Sequence, residues 1–237
     1  MPVKRVLILA NSIKKSARCV AGREIIQDGG KARLGGWIRP VSGSGEGELS
    51  SRHYALRQGG LASVLDVVDV PLKGQQSDPG QPENWLIDDS TQWSKVRAAG
   101  IEEVAGFAEH PDDLWLESTS QSDRITVNAQ AGRITQTSLV LIRPEGFHVR
   151  LWRERNPWKG YVQRKTHAVF RYAGQEYSLS MTDPIFREQH CSDHPAESEG
   201  VREVVPPCGD DCLLCISLTP PFNEHHYKVV ATVLALP

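Results

Sequence analysis

Two series of short apolar runs, broken at close intervals by Gly, Pro, Asp and Asn, set the strongest limit on how this chain can fold. In the first half, residues 3–10, 18–26, 36–41 and 64–72 read as strands, joined through Asp28-Gly29-Gly30, Gly35-Gly36 and a Gly/Ser-rich loop at 42–47. In the second half, residues 138–143, 167–172, 176–181 and 227–236 do the same, with Ala173-Gly174-Gln175 as a tight turn. The order of features is parallel. Each half has an opening apolar strand (RVLILA, SLVLIR), a basic stretch, then strand, turn and strand, and a Val-rich closing strand. So many short strands in so little chain would leave long exposed edges as open sheets, and closure into small barrels removes those edges. The expected fold is mainly β: a first barrel over residues 1–74, a partly helical insert and linker over 75–137, and a second barrel over 138–237. In the insert, Ile101, Val104, Ala105 and Ala108 fall at helical spacing. Gly100 precedes them, Glu102 and Glu103 complement the helix N-terminus, and Pro111 ends the run. Trp93 and Trp115 are the aromatics expected to dock this helix.

Charge is distributed in blocks. Residues 1–39 carry nine Lys/Arg and two acids, 40–142 seven and fifteen, 143–171 eight and two, and 172–237 three and ten. A net charge of −2 therefore hides blocks of +7, −8, +6 and −7. Clustered Lys/Arg with interleaved aromatics is the footprint of a polyanion-binding face, most often one for nucleic acid. The acidic pI, near 6.4, confines any such contact to local patches. The apolar run in MPVKRVLILANS is too short for a signal-peptide core, and no apolar stretch is long enough to span a bilayer. A soluble, cytoplasmic protein without membrane contact is expected, its five cysteines reduced.

The candidate nucleic-acid-binding residues fall in the two basic blocks. In the first they are Lys14, Lys15, Arg18, Trp37 and Arg39, with Trp37 and Arg39 on one face of a strand. The competing reading of Arg39 is a buried ion pair with an acid such as Glu83 or Asp66. In the second block they are Arg150, Trp152, Arg153, Arg155, Trp158, Lys159, Tyr161, Arg164 and Lys165. Trp152, Trp158 and Tyr161 would stack bases while the cations track phosphates. Strand alternation sets Trp152 beside Arg150 and opposite Val149, Leu151 and Arg153.

A second cluster, His190, Cys191, His194, Cys208, Cys212 and Cys215, offers enough soft ligands for a tetrahedral site. Zinc is the one cofactor this spacing would admit, and otherwise none is expected. Against it, Cys215 sits in the strand-like run LLCISL, where a small buried thiol is the common outcome. Of the acids, Asp66 and Asp69 point to opposite faces of one strand, and Asp183 in MTDP is a turn former. No nucleophile–base order, phosphate-binding Gly loop or HExxH run is present, and no catalytic residue is assigned.

RCVAG (18–22), WIRPVS (37–42), LDVVDVPL, QPENWLI (81–87), MTDP (181–184) and SLTPPFNEHHYKVVA (217–231) together resemble the bacterial proteins that carry a dual OB-containing domain. The resemblance implies two OB-like barrels and a binding module, and it carries over no catalytic residue. OB barrels bind oligonucleotides or oligosaccharides across one sheet face and the adjoining loops. The Cys/His-rich stretch departs from the family pattern, so a ligand site there would be peculiar to this branch. The expected function is therefore non-catalytic binding of nucleic acid, single-stranded or structured. The alternative is a protein-interaction or scaffold subunit whose charge blocks meet a protein partner. A metal-dependent enzyme is the third reading. The two basic blocks form either one continuous groove or two separate patches, and nucleic-acid binding across both requires the first.

Overall fold

The structure is a computed structural model that describes every residue except 1, 15, 77, 79, 118–120, 134–136 and 157–159. In the first half the elements are β1 Val3–Lys14, β2 Ala17–Asp28, β3 Lys31–Val41, β4 Asp66–Gln75, β5 Asn84–Ile87, β6 Ser94–Ala98 and α1 Ile101–Ala105. The second half holds β7 Arg124–Thr126, α2 Val127–Arg133, β8 Leu139–Ile142, β9 Glu145–Arg155, β10 Val162–Tyr172, β11 Gln175–Met181, α3 Pro184–His190, β12 Arg202–Val204, β13 Cys212–Leu218 and β14 His225–Ala235.

The first barrel runs β1-β2-β3-β5-β4 and closes by pairing β4 back onto β1, with β6 added outside β4. Its pairs are antiparallel except β3–β5, which is parallel. One long β1 serves both neighbours: Val3 to Leu7 pair with β4, and Val6 to Lys14 pair with β2 across a register shift at Ile8/Ala10. Gly22 of RCVAG is required where β2 crosses β1, because a Cβ there would lie 1.9 Å from the Leu7 carbonyl oxygen. This barrel takes its fifth strand from Asn84–Ile87, so it extends past residue 74 into the segment expected to be an insert. Asn84–Ile87 was missed because four residues beside Pro82 carry little strand pattern.

The second barrel repeats the order. Its sheet runs β12-β9-β10-β11-β14-β13-β8, again with one parallel pair, β11–β14. β8 and β9 are separated only by Arg143 and Pro144. Together they do the work of β1, β8 pairing with β13 and β9 with β10. Proline at the junction has no N–H for a ladder, which accounts for the break.

The apolar runs that open each half have one cause. In β1, Val6 and Ile8 pack inside the first barrel, while Leu7 and Leu9 pack outward into a second apolar cluster. Leu139 and Leu141 of β8 and Leu213 and Cys215 of β13 enter that same cluster, and Val140, Ile142, Cys212 and Leu214 fill the second barrel. These strands are buried on both faces, so they cannot alternate with polar residues. Leu7, Leu9, Leu139, Leu141 and Leu213 are fully buried, each contributing about 1.5–3 kcal/mol toward holding the barrels together.

The helical part is minor. α1 starts after Gly100 as expected, and its Val104 packs into the cluster between the barrels. The two tryptophans expected to dock it lie elsewhere, Trp93 in the core of the first barrel and Trp115 in that of the second. No described helix is long and apolar enough to cross a membrane.

Candidate functional site

The parallel register Arg39↔Asn84 sets Arg39 of β3 beside Glu83, whose backbone carbonyl accepts from the Arg39 N–H at 2.9 Å. The Arg39 side chain is 2% exposed. Its Nη2 reaches Glu83 Oε1, Ser138 Oγ and Ser217 Oγ, each at 3.0 Å. Glu83 also accepts from the Ser138 N–H at 3.0 Å and the Ser138 hydroxyl at 2.5 Å. Since Ser138 and Ser217 belong to the second half, this ion pair ties the barrels together. The buried pairing with Glu83 is therefore the reading of Arg39 that holds. Among the described residues its buried Nε and Nη1 have no hydrogen-bond partner.

Trp37 does not present a stacking face. It is buried, its Nε1 donates to Glu109 at 3.2 Å, and the Arg23 guanidinium covers its ring at 5.7 Å. Arg23 Nη1 also bonds Glu109, at 3.0 Å, and Glu109 accepts from the Leu141 N–H at 2.9 Å. Lys14 is half-buried and donates to the Glu46 carbonyl at 2.5 Å, and Arg18 is half-buried. Lys15, Trp158 and Lys159 lie outside the described residues.

The second basic block lies on the hairpin β9–β10, away from the contact between barrels. Phe147, Val149 and Leu151 face inward, and Arg150 and Trp152 face out, as alternation requires. Trp152 sets its edge to His167 at 4.8 Å and donates Nε1 to Glu154 at 3.1 Å. Most of the cations are paired: Arg150 with Glu203 at 2.9 Å, Lys165 with Glu154 at 2.9 Å, and Arg155 with Glu197 at 3.7 Å. Arg153 donates to the His194 carbonyl, whereas Tyr161 and Arg164 are exposed and have no ionic partner among the described residues. Trp37 and Arg39 of the first block thus sit at the contact between the barrels, and the described residues of the second lie on the β9–β10 hairpin. Each block is partly neutralised by the acidic block that follows it, through Arg5–Asp69, Arg23–Glu109 and Arg39–Glu83 in the first half and Arg150–Glu203 and Arg155–Glu197 in the second.

The Cys/His cluster comes together only in part: Cys208 and Cys212 share a side-chain hydrogen bond, and Cys191 lies in the same core. Cys212 and Cys215 stand three apart on β13 and so enter different cores. His194 Nε2 lies 3.0 Å from Thr166 Oγ1, and His190 packs on Phe186 with ring centroids 4.8 Å apart. Burial raises the Cys191 thiol to about 11 and pushes Cys212 and Cys215 up as well. Among the described residues no group of three or more His, Cys, Asp or Glu side chains converges to hold a metal. The acids considered for catalysis make structural contacts. Asp66 pairs with Lys95 and Asp69 with Arg5. Asp183 caps α3 through the Ile185 and Phe186 N–H groups and also accepts from Val233.

A cavity of about 710 Å³ forms a cleft between the barrels that no spacing rule picked out. It lies where the β1–β2 connection and the β4–β5 connection of the first barrel meet the β13–β14 loop of the second. These are the loops with which OB barrels hold ligands. Its wall includes Lys14, Arg39, Gln81, Thr182, Phe222 and Tyr227. Every motif string above except LDVVDVPL contributes a residue, and that convergence is the one signal in the sequence that pointed here. The cleft is also joined to the outer face of the second barrel. Across the strands, Arg150 pairs with His167, His167 with Ser180, and Ser180 with Val229, which lines the cleft. His167 holds this row through Ser178 Oγ at 3.1 Å and Ser180 Oγ at 3.2 Å.

The chain matches the family described as the dual OB-containing domain over residues 4–233. No curated protein and no solved structure matches it.

Proposed function

Since the chain belongs to the dual OB-containing domain family, we propose that it is a non-catalytic binding protein for single-stranded nucleic acid. The observation that carries this reading is the unbroken surface from Trp152 and Arg150, across His167 and Ser180, to Val229 and the cleft. A strand laid on that surface would stack one base on Trp152 and reach Phe222, 65% exposed at the cleft, with another. At about 710 Å³ the cleft has room for an unpaired base or two. Ion pairing of Arg150, Lys165 and Arg155 leaves few cations for phosphates, so stacking carries most of the affinity.

Fluorescence anisotropy with labelled single strands of about ten nucleotides, DNA and RNA, tests this reading across a salt series. Binding is expected with a log–log salt slope of only about −1 to −2, as few phosphates are engaged. Trp152→Ala and Phe222→Ala should each weaken it by about tenfold. Absence of binding to either polymer, or equal binding by both variants, overturns the proposal.

A further inference from the structure

We infer that Cys208 and Cys212 form a reversible disulfide, with a low-molecular-weight disulfide as the co-reactant. The pair stands apart from the binding surface described above. Both residues are free thiols; Cys212 opens β13 and Cys208 precedes it across a turn. In that turn the Asp211 N–H donates to the Cys208 carbonyl and the Cys212 N–H to that of Asp210, each at 2.8 Å. The chain reverses there, and the two thiol side chains share a hydrogen bond. Cys212 Sγ lies back over the turn, 3.6 Å from the Gly209 carbonyl oxygen. The turn is also tied to its neighbours. The Asp210 carboxylate accepts from the Gly146 and Phe147 N–H groups at 2.9 and 2.7 Å, and the Asp211 carbonyl accepts from the Leu236 N–H at 2.8 Å. The two sulfurs are thus kept side by side by bonds in which neither takes part, so little ordering is left for a covalent bond to supply.

The two thiols differ in access, and that fixes the order of events. Cys208 is half-buried and lines a cavity of about 290 Å³ beside Pro207, His190 and Asp183, whereas Cys212 is fully buried. A reagent entering that cavity meets Cys208. Burial raises the Cys208 thiol, and the hydrogen bond from Cys212 works against that rise by stabilising the thiolate. Cys208 gives its proton to water, and its thiolate attacks one sulfur of the reagent, whose S–S bond breaks and releases one small thiolate. The Cys212 thiol gives its proton to that thiolate and attacks the Cys208 sulfur. The second small thiolate then leaves and takes the proton that Cys208 gave to water. Two protein thiols are oxidised to one disulfide, and the reagent is reduced to two thiols.

The test incubates the folded full chain with oxidised glutathione at mildly alkaline pH, quenches with acid, and reads intact mass, thiol count and a peptide map. The chain is expected to lose two of its five thiols and two hydrogens in mass, with no glutathione retained. The map should join Cys208 to Cys212, and dithiothreitol should restore both thiols. Cys212→Ala should instead stop with one glutathione carried on Cys208, and Cys208→Ala should keep every remaining thiol. Cys191→Ala, which removes the other thiol of that core, should still close the bond. Thermal melting run alongside shows that each variant is folded. Cys208 is half-buried, so its variant and the map of the unaltered chain keep the test decisive if Cys212→Ala fails to fold. Five thiols surviving in the folded chain, a glutathione that stays on Cys208 with Cys212 present, or a bond that joins Cys191 to either partner overturns the inference.

Discussion

The two barrels share a strand order but use their charged and aromatic residues differently. In the first, Arg23, Trp37 and Arg39 are drawn under the second barrel and spent on Glu109, Glu83, Ser138 and Ser217. In the second, Arg150, Trp152 and Lys165 stay on the outer face, paired sideways along their own sheet. Similar composition thus produces an internal joint in one half and an accessible surface in the other. Position relative to the shared apolar cluster decides which, because a charge that is covered must bring its counter-charge with it, whereas an exposed one need not.

The joint is the place to break the comparison hardest. Glu83→Gln leaves the Arg39 charge buried without a counter-charge and should cost about 3–5 kcal/mol in denaturant unfolding. A double variant, Arg39→Met with Glu83→Leu, should lose clearly less than the single one, since removing both charges leaves nothing uncompensated. Equal losses would mean that the pair is not a buried electrostatic unit.

A smaller effect separates the halves by pH. Burial, with Lys165 nearby, lowers the pKa of His167, and burial with Arg164 and Arg187 lowers that of His194. In the unfolded chain these imidazoles take up protons near pH 6.5, before the folded state does. The stability they lend at neutral pH is therefore complete above about 6.5 and is lost as the pH falls toward the lowered folded values. Asp183 acts in the opposite sense, because burial raises its carboxyl pKa and protonation relieves that cost. Thermal melts at pH 7.5 and 5.5 should show the loss, and His194→Gln should flatten the difference. An unchanged pH dependence in the variant would remove His194 from the account.

The smallest stability effect belongs to the open face. The exposed Arg150–Glu203 pair should contribute no more than about 1 kcal/mol, read by chemical denaturation of Glu203→Gln. The same change frees Arg150 and should tighten single-strand binding severalfold. Weaker binding would show that Glu203 positions Arg150 for the ligand and does not merely neutralise it.

Much of this fold was legible in the chain, and the limits have physical causes. RVLILA and SLVLIR stood out because both faces of β1 and β8 are buried, and the turn at Ala173-Gly174 fell where β10 and β11 meet. Asn84–Ile87 was missed because a short strand held by one parallel and one antiparallel neighbour owes its place to tertiary pairing, not to local pattern. Trp37 misled because a Trp beside an Arg reads alike whether the pair faces a base or a neighbouring barrel. Local alternation could place Trp37 and Arg39 on one face of β3, but not say what covers that face. The cleft lay beyond spacing rules altogether, since its wall is assembled from loops far apart in sequence.

The split of one strand into β8 and β9 also fixes an order of events during synthesis. β8 finds its ladder partner only in β13, and β14 must then bridge β11, β13 and β7. The first barrel has its strands once β6 has been made, yet Leu7, Leu9 and Trp37 gain their cover only when β8, β13 and β14 arrive. At the usual pace of about 5–20 residues per second, the residues that cover that apolar flank are made roughly 7 to 27 seconds after β6. In that interval the flank is exposed hydrophobic surface of the kind that makes incomplete chains prone to aggregate.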